Sequence, residues 1–301
     1  MRVMVIGGSG QVGSLLCEAH LNREDEIWPT HFRSAGYQDN SVHLDLSDQY
    51  DVSWAINGCS PEIVYLAGAE TNVDECERDP QKSWKVNVVG TANVVRAAQE
   101  AGARLVFLSS DFVFDGLEGA YDEECIPNPI NEYGRQKLIA EHLVMQSSLQ
   151  YLIIRTNVVY GPDRQRKNFI LRLIDNLNKG LKFSVATDEY GSPTYGPDLA
   201  RRVVELATTN DKAVVPNGIY HLAGSQMVNR YKFAMTAARI FKCDTNQIQP
   251  IRSVDLGRPA LRPLNAGLRS KDRKNRLPDY VDRLSRLKEL FDEGRLQKAE
   301  E

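Results

Sequence analysis

Short apolar runs rich in β-branched residues alternate with stripes of helical period through the first half of the chain. Runs at Arg2 to Ile6, Glu26 to Thr30, Glu62 to Leu66, Arg104 to Leu108 and Tyr151 to Arg155 have the length of buried strands. Segments near Gln11 to Leu21, Asp48 to Asn57, Gln81 to Ala101 and Asn131 to Ser147 have the period of helices. In the segment from Gln81, Trp84, Val88, Val89, Ala92, Val95 and Ala98 make one apolar stripe, and Gly102 supplies a stop. Strand and helix in repeated alternation predict an α/β fold on a parallel, doubly wound sheet with right-handed crossovers.

Past Tyr160-Gly161-Pro162 the pattern loosens. A basic loop at Arg164 to Lys167 precedes a helix over Phe169 to Asn178 and a turn-rich stretch from Tyr190 to Thr194. A helix through Leu199 to Leu206 and a strand at Gly218 to Leu222 return the chain to the sheet. The expected division is therefore discontinuous: 1–162 and 195–225 form a nucleotide-binding domain, while 163–194 and 226–301 form a smaller, mostly helical domain for the substrate. A last amphipathic helix carries Val281, Leu284, Leu287, Leu290 and Phe291 on one face, and the charged end from Glu293 to Glu301 is expected to fray.

Composition narrows the class. Hydrophobic residues are 42% and charged residues 26% of the 301, as in an ordinary globular chain with a large core. A formal charge of -3 gives no general pull toward nucleic acid or an anionic membrane, and no apolar run reaches the roughly 20 residues that span a bilayer. Cys17, Cys59, Cys76, Cys125 and Cys243 are scattered without a C-x-x-C pair, which argues against a disulfide framework and fits a reducing cytoplasm. His20, His31, His43, His142 and His221 have no metal-ligand spacing, so no metal site is expected. A homodimer is left open.

Four segments carry chemistry. Gly7, Gly10 and Gly13 follow the first strand in a G-x-x-G-x-x-G spacing and open a helix, an arrangement that lets backbone approach a pyrophosphate at a helix N-terminus. Arg104 to Asp111 runs from a buried strand into two hydroxyls and a carboxylate. There Ser110 is a donor for a substrate carbonyl, Ser109, Ser110 and Asp111 being also ordinary capping residues. Tyr133 and Lys137, four apart on a helix, pair a phenol with an ammonium that favours the phenolate and lowers its pKa. About 20 residues beyond the glycines, where an acid selects a free ribose hydroxyl, stands Arg33; it suits a 2′-phosphate, so NADP(H) is preferred and NAD(H) remains open.

Gly7 to Gly13, Ser110, Tyr133 and Lys137, in this order, resemble the extended short-chain dehydrogenase/reductases, and with them a Rossmann sheet. More narrowly, Gly10-Gln11-Val12-Gly13, Thr71-Asn72-Val73-Asp74, Ser109 to Phe114, Asn131 to Lys137, Arg155-Thr156, Gly191 to Thr194 and Arg262-Pro263 resemble the dTDP-4-dehydrorhamnose reductase family across nearly the whole chain. The resemblance implies hydride transfer from a nicotinamide cofactor to the C4 keto group of a nucleotide-linked 6-deoxy sugar. It gives Tyr133 the role of proton donor, has Lys137 hold the nicotinamide ribose, and has Ser110 bind the carbonyl oxygen. It puts Gly7, Gly10, Gln11, Val12, Asp45, Leu46, Ala67, Gly68 and Ala69 at the cofactor, and has Asn87 support the lysine. Glu70, Thr71, Asp111, Asn157, Asn168 and Arg262 are the expected substrate residues, with Arg262 a candidate for the diphosphate and equally a surface arginine before a proline turn.

Departures lie on the sugar side. Phe112 stands where the family usually has tyrosine and Val158 where it often has tryptophan, while Leu15 replaces a glutamate that some members use for magnesium. Two other readings stay open: a regulatory chain resembling the methionine adenosyltransferase beta subunit, which Phe32-Arg33 and Ser109 to Gly116 also resemble, and a nucleotide-sugar epimerase or dehydratase, for which Asp111 and Glu70 are available acids.

Overall fold

The computed structural model describes residues 1–21, 23–33, 41–209 and 217–295. From residue 296 on, the charged end expected to fray lies outside the described residues, as does the segment 34–40 after Arg33.

The strands assemble as β1 (Arg2–Ile6), β2 (Glu26–His31), β3 (Val42–His43), β4 (Ile63–Leu66), β5 (Arg104–Ser110) and β6 (Tyr151–Thr156), with a further strand at Gly218–His221. Every pairing among them is parallel, in the order Gly218–His221, β6, β5, β4, β1, β2, β3. The chain leaves β1 for β2 on one side and later fills β4 on the other, so the order reverses at β1 and opens a crevice at the strands' C-terminal ends. β3 escaped the sequence pattern because two residues carry no period.

Alternation along the strands decides which side each residue faces. Val3, Val5, Tyr65, Val106, Leu108, Leu152 and Ile154 pack against α1 (Gln11–Leu21). Met4, Ile6, Val64, Leu66, Leu105, Phe107 and Ile153 pack with Val52 and Ile56 of α2 (Gln49–Cys59) on the opposite face.

The helix expected over Gln81 to Ala101 is three pieces. After α3 (Val73–Arg78), which the sequence reading had missed, come α4 (Pro80–Trp84), a π turn at Lys85–Val89 and α5 (Gly90–Ala101), with Gly102 at φ +66 as the predicted stop. A π turn adds a residue and rotates everything before it against everything after. The single apolar stripe is therefore broken: Val88, Val95 and Ala98 are buried, but Trp84 and Val89 remain 40% and 38% exposed. The same widening turns Asn87 inward.

α6 (Glu132–Met145) begins at Asn131, whose Oδ1 accepts from the Gly134 N–H at 2.9 Å. A Cβ on Gly134 would overlap the Phe112 carbonyl, so glycine is what lets this helix lie so close to the end of β5. α7 (Phe169–Asn178), α9 (Arg230–Ile240) and α10 (Tyr280–Asp292) pack around Phe233 and Tyr160, while α8 (Gly196–Thr208) returns to the sheet beside α1. The chain after Asn229 is less helical than expected: Ile248–Ile251 pairs in parallel with Phe183–Ala186, a strand interrupted by Pro250 and too short to show a period. On α10, Leu284 and Leu287 are buried as expected, but Val281 in the first turn is 41% exposed.

Candidate active site

The glycine turn closes over the end of β1. Gly7 adopts φ +84, and a Cβ there would stand 2.6 Å from the Gly68 nitrogen after β4. Gly10 donates its N–H to the Gly7 carbonyl at 3.0 Å, and α1 begins at once, leaving the first-turn N–H groups of Gln11 and Val12 at the sheet's C-terminal edge. A side chain at Gly7 would collide with the Gly68 backbone and one at Gly13 with the Gly7 carbonyl, so the glycines let the turn close tightly against the start of α1, and a tight turn at a helix N-terminus fits a dinucleotide pyrophosphate. Ala67, Gly68 and Ala69 leave β4 beside it, Ala67 N–H bonding the Ile6 carbonyl at 3.0 Å. Gln11 donates to the Pro162 carbonyl at 3.4 Å.

Two residues expected at the adenine have local duties. Asp45 accepts from the Ser47 N–H and hydroxyl, and Leu46 is a core side chain packed against Gly68 and Gly90. Arg33 is 62% exposed just past β2, stacked over Phe32 at 5.5 Å and 3.8 Å from the Glu70 carboxylate.

β5 and α6 bring Ser110, Asp111, Tyr133 and Lys137 together. Ser110 is the last residue of β5 and also caps the short turn Asp111–Val113, accepting from the Phe112 N–H at 3.3 Å, so the capping reading and the site reading describe the same side chain. Its hydroxyl lies 2.8 Å from Asp111 Oδ1. Tyr133 of α6 is buried beside Ser110 and Asp111, with the Phe112 ring edge-on at 5.7 Å. One turn on, Lys137 donates to the Leu108 carbonyl at 2.7 Å and lies over the Phe107 ring. Another turn on, Glu141 accepts from Ser109 Oγ at 2.5 Å and forms a bidentate pair with Arg155 of β6.

Electrostatics correct one expectation. The Lys137 ammonium does not pull the Tyr133 phenol down; burial pushes the phenol well above its usual range, the charges of Asp111 and Cys76 add to this, and Ser110 opposes it. Burial lowers Lys137 itself to about 8, against the opposing pull of Glu141 and Cys76. Asp111, buried between Ser110 and Asn157, is raised to about 7, chiefly by burial.

A cleft of about 960 Å³ opens beyond Asp111 and Phe112, bounded by the C-terminal helices. Its lining carries five cations, Lys167, Arg172, Arg230, Arg258 and Arg262, against four carboxyls, Glu70, Asp74, Asp111 and Glu189, and Arg230, Arg258 and Arg262 are ion-paired within it. Glu70, Thr71, Asp111, Asn157 and Arg262 all line it. Asn168 is not among the lining residues: it caps α7 by accepting from the Leu171 N–H and donates to the Gly161 carbonyl at 3.0 Å. Asn157 lines the cleft with its amide tied to Asp111, Ala266 and Ser192. Arg262 pairs with Asp74 at 3.0 Å. Asn87 holds the Glu70 backbone at both ends and donates to Gln136.

Sequence reasoning missed Arg230, Arg258 and Glu189. Arg230 opens α9 behind the cap Asn229, is half-buried, and lies 4.4 Å over Phe169; Glu189 takes Arg258 as a close partner and Arg230 at 3.5 Å. Nothing in a local window marks these three, because the pairing joins a turn, a helix start and a loop far apart in the chain. Among the described residues no group of side chains could hold a metal ion, and no helix is long and apolar enough to cross a membrane.

Sheet order, glycine turn and the serine, tyrosine and lysine at β5 and α6 define the class: a Rossmann-type α/β protein with the residue set of the extended short-chain dehydrogenase/reductases. The chain belongs to the family described as RmlD substrate binding domain, which matches residues 1–292. It is 28% identical to a dTDP-4-dehydrorhamnose reductase of Sinorhizobium fredii over 95% of this chain and 96% of that one. It is 30% identical to the methionine adenosyltransferase 2 subunit beta of Bos taurus over 89% of this chain and 80% of that one. The crystal structure of a dTDP-4-dehydrorhamnose reductase from Bacillus anthracis in complex with NADP superposes with a TM-score of 0.85 at 29% identity, covering 97% of this chain and 99% of that one.

Proposed function

We propose that this chain is an NADPH-dependent reductase of the C4 keto group of a nucleotide-linked 6-deoxy sugar. The observation that carries the reading is the gathering of Ser110, Asp111, Tyr133 and Lys137 at the end of β5, next to an arginine-lined cleft large enough for a sugar nucleotide. When bound in the Gly7 to Gly13 cradle, NADPH supplies the hydride. Arg33 is assigned to its 2′-phosphate, Gln11, Val12, Ala67, Gly68, Ala69 and Lys137 to its pyrophosphate and ribose, and Asp45 and Leu46 to the adenine.

The chain's own side chains do the rest. Ser110 donates to the ketone oxygen, and Tyr133, kept fully protonated by its burial, gives its proton to that oxygen as charge develops. Lys137 holds the end of β5 through the Leu108 carbonyl. Arg230, Arg258 and Arg262 are assigned to the substrate diphosphate, since guanidinium groups set in an apolar wall suit paired phosphate oxygens. Glu70, Thr71, Asn157 and Asp111 bound the sugar end. Purified protein is expected to oxidise NADPH when given dTDP-4-keto-6-deoxy sugars; product without net NADPH consumption points to an epimerase or dehydratase instead.

A second reading is favoured by the likeness to the methionine adenosyltransferase 2 subunit beta together with Phe112 and Val158 in the sugar cleft. In that reading the chain binds NADPH and a catalytic partner without reducing a sugar. Tight NADPH binding with no turnover on any keto sugar would decide for it.

A further inference from the structure

Asn157 has one orientation. Its Oδ1 accepts from the Ser192 N–H at 2.9 Å and its Nδ2 donates to the Ala266 carbonyl at 3.0 Å, so backbone partners pin both ends of the amide. The second hydrogen of Nδ2 goes to Asp111 Oδ2. That oxygen is therefore an acceptor, and a proton on this carboxyl sits on Oδ1, the oxygen 2.8 Å from Ser110 Oγ. Ser110 Oγ already accepts from the Phe112 N–H at 3.3 Å. Two hydrogen-bond states follow. With Asp111 ionised, Ser110 spends its only hydrogen on Oδ1. With Asp111 neutral, Oδ1–H donates to Ser110, whose own hydrogen is then released from the carboxyl and turns to the side of the site where the Tyr133 hydroxyl lies.

We propose that Asp111 is a positioning residue whose neutral form aims the Ser110 hydroxyl at the substrate ketone and whose carboxylate aims it away, with Asn157 fixing which oxygen carries the proton. The proposal rests on the reductase reading, in which Ser110 binds the ketone. The Asp111 proton is not consumed; Tyr133 supplies the one that ends on the product hydroxyl.

The groups facing Asp111 are Tyr133 from α6, Asn157 from the end of β6, Arg230 from α9 and Ser110 on β5. Burial raises Asp111 to about 7, while Ser110, Asn157 and Arg230 favour the carboxylate. The neutral form thus prevails below that value and is lost as pH rises through it. An anionic ligand against Arg230 offsets the cation that favours ionisation, so substrate binding itself biases Asp111 toward the form that aims Ser110.

Two measurements test this. Isotope-edited infrared spectra of the protein without substrate, from about pH 5 to about pH 9, should contain a carboxylic-acid band that fades near neutrality and is missing from Asp111→Asn. Turnover of the wild type should fall about tenfold between about pH 6 and about pH 8, as expected for one group titrating near 7. In Asp111→Asn, where an amide can donate to Ser110 and accept from Asn157, that neutral-range fall should vanish. In Asp111→Ala turnover should drop at least about tenfold at every pH. An Asp111→Asn enzyme that keeps the wild-type fall, or that behaves like Asp111→Ala, overturns the proposal. If the infrared band never appears, the proposal fails while the reductase reading stands. If the band titrates but no ketone is reduced, the reductase reading fails and takes with it the role assigned to Ser110.

Discussion

Arg155→Met removes one half of an ion pair that lies wholly inside the protein. The guanidinium of Arg155 is held by Glu141 through Nε at 2.9 Å and Nη2 at 2.6 Å, with both side chains buried, and it lies 5.1 Å over the Phe114 ring. Without it the Glu141 carboxylate keeps only the Ser109 hydroxyl as a donor. Breaking a buried pair in this way costs about 3–5 kcal/mol, because the partner charge is left in a medium that cannot solvate it. Against a total stability of about 5–15 kcal/mol this is a large share. At about 2–4 °C per kcal/mol it lowers the melting temperature by about 6–20 °C. Replacing both partners by apolar residues of similar volume, Arg155→Met with Glu141→Leu, should recover most of the loss, so a double-mutant cycle in urea should give a coupling of several kcal/mol. The same variants report on the site, since Glu141 lies one turn from Lys137 and bonds the residue beside Ser110. A single-variant cost under about 1 kcal/mol, the size of an exposed pair, would refute the reasoning.

Tyr133→Phe should lower turnover by about 10²–10⁴ with little change in NADPH affinity, because it deletes the proton donor and leaves the cradle alone; near-normal turnover in a stopped-flow assay would end that role. Arg33→Ala should weaken NADPH by about tenfold relative to NADH, a loss tempered by its exposure and steepest at low salt; equal effects on the two in fluorescence titrations would remove the 2′-phosphate assignment. Arg230→Met should raise KM for the nucleotide sugar by about tenfold or more and change kcat less, since Glu189 keeps Arg258 as a partner; an unchanged KM would take Arg230 out of the diphosphate site.

Elements with a long, regular period were legible in the sequence. α1 and α7 fall on the residues expected from their stripes, and the six expected strands each lie where a short apolar run stood. α4 and α5 were legible as helix but not as two helices, because a π turn changes the phase of a stripe without any residue type that announces it. The candidate site residues were legible for a different reason. Tyr133 and Lys137 share one helix face by spacing alone, and Ser110 follows a strand directly. Arg230, Arg258 and Glu189 were not, since their meeting depends on how three separate segments close over the cleft.

By itself, then, the order of residues determined the parallel sheet, the glycine cradle and the identity of the phenol, ammonium and hydroxyl, all of which are encoded within a few turns or one strand. Tertiary structure decided the charge state and aim of those groups: burial, not the neighbouring lysine, governs Tyr133, and a backbone-pinned asparagine dictates where Asp111 carries a proton. The reason is physical. Solvation and hydrogen-bond direction depend on what surrounds an atom in space, and those surroundings come from residues as distant in the chain as Asn157, Ser192 and Ala266 are from Asp111.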